Sequence, residues 1–320
     1  MRDTIASDAL ELEALREGLT RPLREISAKY FYDDRGSALF EQITELDEYY
    51  PTRTEIAILE RVAGEVMQDA RAAQLVELGS GAGRKIRLLL DGWTPESHSE
   101  RVCTMLDVNE SFLSRSIAAL AESYPALRFR GVLGDFTRDL DELPWHPSPR
   151  LTVFFAGTIG NLDPASRHAF FATLARSMTD RDSLLLGVDL VKDVARLERA
   201  YNDGAGVTAA FNKNALRVLN ARYGADFDVE SFDHRAFFDG DQRWIEMRLR
   251  ARRPMRVRVA AIDLTLELAE GEEIRTEISC KFTRESLSRD LALAGLEWRR
   301  WHTDERGDFA LAHIFKRPSP

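Results

Sequence analysis

Carboxylates and glycines recur where this sequence ends its apolar runs. Gln74-Leu75-Val76-Glu77-Leu78-Gly79-Ser80-Gly81 is a β-type run that closes on an acidic residue and a glycine turn. Lys85-Ile86-Arg87-Leu88-Leu89-Leu90, which follows, fits a helix. Glycine at such a turn lets a ligand press against bare backbone, and the amides opening the next helix point at it. Two more acidic run ends follow, Met105-Leu106-Asp107 and Gly134-Asp135-Phe136. A nucleotide-type ligand laid across the carboxyl ends of a parallel sheet would meet these groups in that order. The turn reads E-x-G-x-G and lacks the full dinucleotide fingerprint G-x-G-x-x-G, which points to S-adenosylmethionine over NAD.

Each of these residues also has a plainer reading. Gly79 and Gly81 admit the methionine part of the cofactor, or simply turn a strand into a helix. Asp107 can accept both ribose hydroxyls and can also cap the helix that starts near Glu110. Asp135 and Phe136 suit an adenine, with the carboxylate on the exocyclic amine and the ring against the base; a loop Asp beside a core Phe has the same pattern. Lys85 can reach the methionine carboxylate, or stand solvated in a first helical turn.

The elements that would position these groups alternate. Strands are expected at Gln74–Leu78, Val102–Leu106, Arg128–Leu133, Leu151–Phe155 and Ser183–Val188. Between them, stretches such as Ser111–Glu122 and Ala165–Met178 carry apolar residues at helical spacing. This alternation predicts a parallel, doubly wound sheet. The pattern then changes: 192–235 reads as helical, and Arg243–Leu249, Met255–Leu268 and Glu273–Lys281 read as three antiparallel strands. An amphipathic helix, Arg284–Ala294, and two last strands, Glu297–His302 and Asp308–Phe315, close the chain.

The expected fold is therefore α/β: a doubly wound, Rossmann-like class I methyltransferase sheet with a second α+β substrate-binding domain. The cofactor domain is read as 54–191 with 282–320, and the substrate domain as 1–53 with 192–281. The segment 1–53 shows no sheet pattern of its own. A cleft between the domains is the expected ligand site.

Bulk properties narrow the partners. The chain has 320 residues, 44% hydrophobic and 30% charged, with net charge −9. Its Lys and Arg are scattered, so no basic stripe marks a nucleic-acid reader. No signal peptide or membrane-spanning run is evident, and a cytoplasmic protein is expected. Cys103 and Cys280 each sit in an apolar segment and read as buried free thiols. The six histidines lack ligand spacing, so no metal is expected. A monomer is expected.

Four further segments stand out. They are Tyr30-Phe31-Tyr32-Asp33 with Gly36-Ser37-Ala38-Leu39-Phe40, Glu48-Tyr49-Tyr50-Pro51-Thr52-Arg53-Thr54-Glu55, Gly157-Thr158-Ile159-Gly160-Asn161, and Thr276-Glu277-Ile278-Ser279-Cys280-Lys281-Phe282. With the glycine turn and with Ala200-Tyr201-Asn202-Asp203…Gly206-Val207-Thr208-Ala209-Ala210-Phe211-Asn212, the chain resembles the histidine Nα-methyltransferases of ergothioneine biosynthesis, from about residue 20 onward. The resemblance implies trimethylation of the α-amine of L-histidine by S-adenosylmethionine, giving hercynine. It implies that Tyr32, Gly79, Lys85, Asp107, Asp135 and Phe136 hold the cofactor. Asn161 and Tyr201 would bind the amino acid's carboxylate and position its amine, with Tyr49 nearby. Glu277 and Ser279 would hydrogen-bond the imidazole, and Met247 would line its pocket. The glycine turn departs from the family pattern of Ser/Thr, Glu, Lys and Thr. Here it continues Ala82-Gly83-Arg84-Lys85-Ile86, which keeps the lysine and loses the hydroxyls.

Strand alternation is compatible with the imidazole assignment. Ile274, Thr276, Ile278 and Cys280 share one face of their strand; Glu277 and Ser279 share the other. An acceptor carboxylate beside a hydroxyl suits a two-nitrogen ring, although Arg275, Glu277, Ser279 and Lys281 can equally form a solvated face. Met247, beside Ile245 and Leu249, also reads as core. A relative that methylates tryptophan or a derivative is the nearest alternative, and Glu277 argues against it. A non-catalytic nucleotide-binding regulator is the alternative of another class. Methyl transfer needs an unprotonated amine; no strong base is evident, so water, Asn161 or a tyrosine oxygen (Tyr32, Tyr201) would take the proton.

Overall fold

The computed structural model describes residues 2–93, 101–143 and 149–318; Met1 and the Ser319-Pro320 end of the C-terminal tail lie outside the described residues. The chain divides into two compact units, Met1–Tyr49 with Asp193–Ile278, and Tyr50–Lys192 with Ser279–Pro320.

The unit Tyr50–Lys192 with Ser279–Pro320 is built on one seven-stranded sheet. In spatial order its strands are Leu296–Thr303, Phe309–Lys316, Ser183–Asp189, Arg150–Phe154, Gln74–Leu78, Val102–Asp107 and Arg128–Leu133. The five strands between 74 and 189 are parallel, and the C-terminal hairpin pairs antiparallel with Ser183–Asp189. Gln74–Leu78, Arg150–Phe154 and Ser183–Asp189 are buried throughout, as a sheet covered on both faces requires. Helix Tyr50–Ala70 lays Ile58, Leu59 and Val62 into the same core as Leu75, Met105, Val153 and Leu185. Each such side chain contributes about 1.5–3 kcal/mol on burial. After Arg128–Leu133 the chain returns past Gln74–Leu78 to continue on its other side. Ligands of open α/β sheets bind outside the carboxyl ends of the strands at such a switch. The expected doubly wound sheet is thus present, with strand ends within a residue or two of those read from the sequence.

The unit Met1–Tyr49 with Asp193–Ile278 carries helices Arg2–Thr20, Asp34–Thr44, Val194–Tyr201 and Val207–Tyr223. Its larger sheet runs Arg24–Glu25, Glu273–Cys280, Trp244–Ala251, Phe232–Asp239; Met255–Val259 and Leu264–Leu268 form a separate ribbon. Three expectations fail here. Phe232–Asp239 is a strand and not the end of a helical stretch, because its aromatic run pairs antiparallel with Trp244–Ala251. Met255–Leu268 is a hairpin and not one strand. Its turn passes through Ala260–Ile262 and Asp263, whose φ of 44° is left-handed, and the alternation continues across the turn and hides it. Arg24–Glu25 pairs parallel with Ile274 and Arg275, although two residues are too few to show a period.

Candidate active site

Three strand ends are tied together at the carboxyl edge of the seven-stranded sheet. The Leu106 carbonyl accepts the Gly79 N–H at 2.8 Å, and the Asp107 carbonyl accepts the Gly134 N–H at 3.0 Å. The Asp107 side chain accepts the Gly81 N–H at 3.1 Å and the Asn109 N–H at 3.0 Å. Asp107 is therefore not the helix cap: Asn109 caps Glu110–Ser123 by accepting from the Phe112 N–H. Burial pushes the Asp107 carboxyl up, against the opposing pull of those two amides.

Gly79 and Gly81 have φ of 69° and 49°, where side chains are strained. A Cβ built on either would stand in open space. Just before them Glu77 is 3% exposed, and among the described residues its Oε2 has no hydrogen-bond partner. Burial holds this carboxyl well above its ordinary range, with Lys85 opposing. Bare backbone facing open space, with an orphaned buried carboxyl beside it, fits the amino-acid end of S-adenosylmethionine. At the third strand end, Asp135 accepts the Thr137 N–H at 2.9 Å and its hydroxyl at 2.6 Å. Phe136 is half-buried and packs edge-on against Phe154 at 4.8 Å. Lys85 is not a solvated lysine: it pairs with the fully buried Glu55.

The fourth strand leads through Ala156 and Gly157, both left-handed, into the turn Thr158–Asn161. Gly160 lies so close to Cys280 that a Cβ would stand 2.9 Å from its carbonyl oxygen. Arg167 donates to the Leu162 carbonyl at 3.0 Å and to Asp290 at 2.8 Å, holding the far end of this loop. Ser279 is 5% exposed and lies 2.8 Å from the Lys281 ammonium. Lys281 pairs in turn with buried Asp189 at 2.8 Å; Lys192 pairs with it at 2.5 Å, and the Tyr50 hydroxyl donates to the same carboxylate. Burial would raise Asp189, but Lys281 and Lys192 outweigh it and hold the carboxyl below the usual range. Ser279 and Lys281 are thus buried, while Arg275 and Glu277 before them are half-buried.

In the other unit, Tyr32, Phe40, Tyr49 and Tyr201 form a chain of edge-on rings, with Tyr32–Phe40 at 5.8 Å, Phe40–Tyr49 at 6.2 Å and Tyr49–Tyr201 at 6.3 Å. Tyr201 ends its helix, and His234 Nε2 lies 2.9 Å from its carbonyl. Asn212 Nδ2 lies 2.8 Å from His234 Nδ1, and Asn212 accepts the Thr276 hydroxyl at 2.6 Å. An Asn NH2 can only donate, so Nδ1 accepts and Nε2 carries the proton to Tyr201. This relay ties the helix of Tyr201 to the strand of Glu277. Glu277 is half-buried on that strand, and Met247 is buried on its neighbour.

The family described as histidine-specific methyltransferase, SAM-dependent, matches residues 11–316. The chain belongs to this family. It is 48% identical over 307 residues to a histidine N-alpha-methyltransferase of Mycolicibacterium smegmatis, covering 96% of this chain and 95% of that one. A histidine N-alpha-methyltransferase of Mycobacterium tuberculosis is 47% identical over 311 residues, with 96% of each chain covered. Ergothioneine biosynthesis protein 1 of Schizosaccharomyces pombe is 29% identical over 246 residues, covering 73% of this chain and 32% of that one.

For an S-adenosylmethionine-dependent methyltransferase, the seven-stranded sheet supplies the expected cofactor edge. The sequence reading did not single out Glu55, Asp189, Lys281, Asn212 or His234 for a role. Glu55, Lys281 and Asn212 stood inside motifs already noted, but a charge on a helix or at a strand end reads as solvated until packing is known. Cys103 and Cys280 are buried and free. Among the described residues no His, Cys, Asp or Glu group is placed to hold a metal, and no helix is long and apolar enough to cross a membrane.

Proposed function

We propose that this methyltransferase trimethylates the α-amine of L-histidine to hercynine, the first step of ergothioneine biosynthesis. The observation that carries this reading is the 48% identity, over 96% of the chain, to a histidine N-alpha-methyltransferase. When bound, S-adenosylmethionine supplies a methyl group already activated on its sulfonium. Tyr32, Gly79, Gly81, Lys85, Asp107, Asp135 and Phe136 hold it. Asn161 and Tyr201 grip the substrate carboxylate and aim the amine, with Tyr49 beside them. Glu277 accepts an imidazole N–H, Ser279 meets the other nitrogen, and Met247 lines the ring pocket. The protein's main contribution is alignment, which can supply on the order of 7–11 kcal/mol. The rings of Tyr32, Tyr49 and Phe40 tolerate the growing ammonium charge through cation–π contact. The substrate is a small molecule, and the enzyme acts as a monomer.

The test is mass spectrometry of products formed from L-histidine and, in parallel, L-tryptophan. Three methyl groups gained on histidine alone support the proposal; methylated tryptophan overturns the role of Glu277.

A further inference from the structure

Glu55 closes the Glu48–Glu55 motif and is not among the residues assigned to hold the cofactor or the amino acid. It lies on helix Tyr50–Ala70 with no exposed surface. Its carboxylate occupies the space left by Gly187, where a Cβ would collide with Oε1. There it serves two groups at once. The Ala156 N–H donates to its two oxygens at 3.1 and 2.9 Å, and the Lys85 ammonium donates to Oε2. Lys85 also lies over the Phe155 ring at 5.8 Å.

Both contacts are at sensitive points. Ala156 has a φ of 64°, a conformation a non-glycine residue holds only when its surroundings impose it. It launches the turn that ends at Asn161. Lys85 stands in the first turn of the helix after the glycine turn. An ammonium has three donors, so the one given to Glu55 leaves others for a cofactor carboxylate. A cofactor that draws on Lys85 changes the charge felt by the carboxylate that holds Ala156.

We propose that Glu55 is a positioning residue that fixes Lys85 at the cofactor turn and Ala156 at the entrance to the Asn161 loop, so that cofactor and amino acid bind cooperatively. The inference rests on the roles given above to Lys85 and Asn161. Coupling of this kind is reciprocal: each ligand tightens the other by the same factor.

Calorimetric titration of the full chain with S-adenosylhomocysteine, with and without L-histidine, tests it. Glu55→Gln fills the same space and still offers Ala156 an amide oxygen, but it removes the charge that anchors Lys85. The expected result is that L-histidine tightens S-adenosylhomocysteine binding in the native enzyme, whereas Glu55→Gln binds it at least tenfold more weakly and shows no such tightening. Lys85→Met should give the same cofactor loss, and the double variant no more than either alone. Native affinity and native coupling in Glu55→Gln, or additive losses in the double variant, overturn the proposal. If Glu55→Gln does not fold, Gly187→Ala displaces the carboxylate from the opposite side and should reproduce both effects. Native behaviour there also overturns the proposal. Failure of the histidine reading looks different: the native enzyme shows no heat with L-histidine, while the non-additivity of Glu55 and Lys85 on the cofactor persists.

Discussion

The Lys281 ammonium stands 2.8 Å from the Ser279 hydroxyl and 2.8 Å from the Asp189 carboxylate. An ammonium only donates, so the Ser279 oxygen accepts from it and the hydroxyl proton points away from the charge. In the proposed histidine site, Lys281 would thereby set the polarity of the Ser279 hydroxyl toward the imidazole. Lys281→Met should raise the KM for histidine roughly tenfold, the worth of one charge-assisted hydrogen bond. S-adenosylhomocysteine affinity should hold. Steady-state kinetics beside a cofactor titration check this; an unchanged KM would remove Lys281 from substrate recognition.

Glu277 is half-buried on the strand of Ser279, two residues earlier on the same face. Glu277→Ala should cost histidine binding about 1.5–3 kcal/mol, or roughly ten- to hundredfold, and leave the cofactor site intact. Near-normal histidine kinetics in this variant would sink the imidazole assignment.

Asn212 is fully buried between the Thr276 hydroxyl and the His234 ring. Asn212→Ala strands both partners, at a cost of about 1–3 kcal/mol in stability. It also loosens the tether from His234 to the Tyr201 carbonyl. A lower urea midpoint together with a raised histidine KM is expected; a change in stability alone would confine the relay to folding.

His313 is fully buried on Phe309–Lys316, with Ser183 Oγ 3.0 Å from its Nε2. Burial lowers its imidazole to about 4, with Asp69 opposing. The unfolded chain takes up this proton near 6.5. Between those values the unfolded state binds more protons, so stability falls as pH drops from about 6.5 to 4, by at most about 3 kcal/mol. His313→Gln should flatten the pH dependence of the urea midpoint across that window. An identical slope in the variant would assign the acid sensitivity to other groups.

The seven-stranded sheet was legible because its signals are local. Short apolar runs such as Gln74–Leu78 and Ser183–Asp189 are buried on both faces, and glycine turns with acidic strand ends mark where they stop. The other unit was less legible for physical reasons. Asp263 turns a hairpin without interrupting the alternation of Met255–Leu268, and Arg24–Glu25 takes its strand conformation only from its partner.

The same division holds at the site. The sequence by itself determined the residue types at the carboxyl edge, Gly79, Gly81, Asp107 and Asp135, because backbone freedom and charge are properties of single residues in a local pattern. It also determined that Glu277 and Ser279 share a strand face, since that follows from a period of two. Only the tertiary structure decided what surrounds them. Asn109 rather than Asp107 caps its helix, Lys85 is engaged by Glu55, and Ser279 is polarised by Lys281 and Asp189. Glu55 and Lys85 are 30 residues apart, and Asn212 and Thr276 are 64 apart. Whether a charge is solvated or buried against a partner depends on which distant segment packs over it, and no local pattern carries that information.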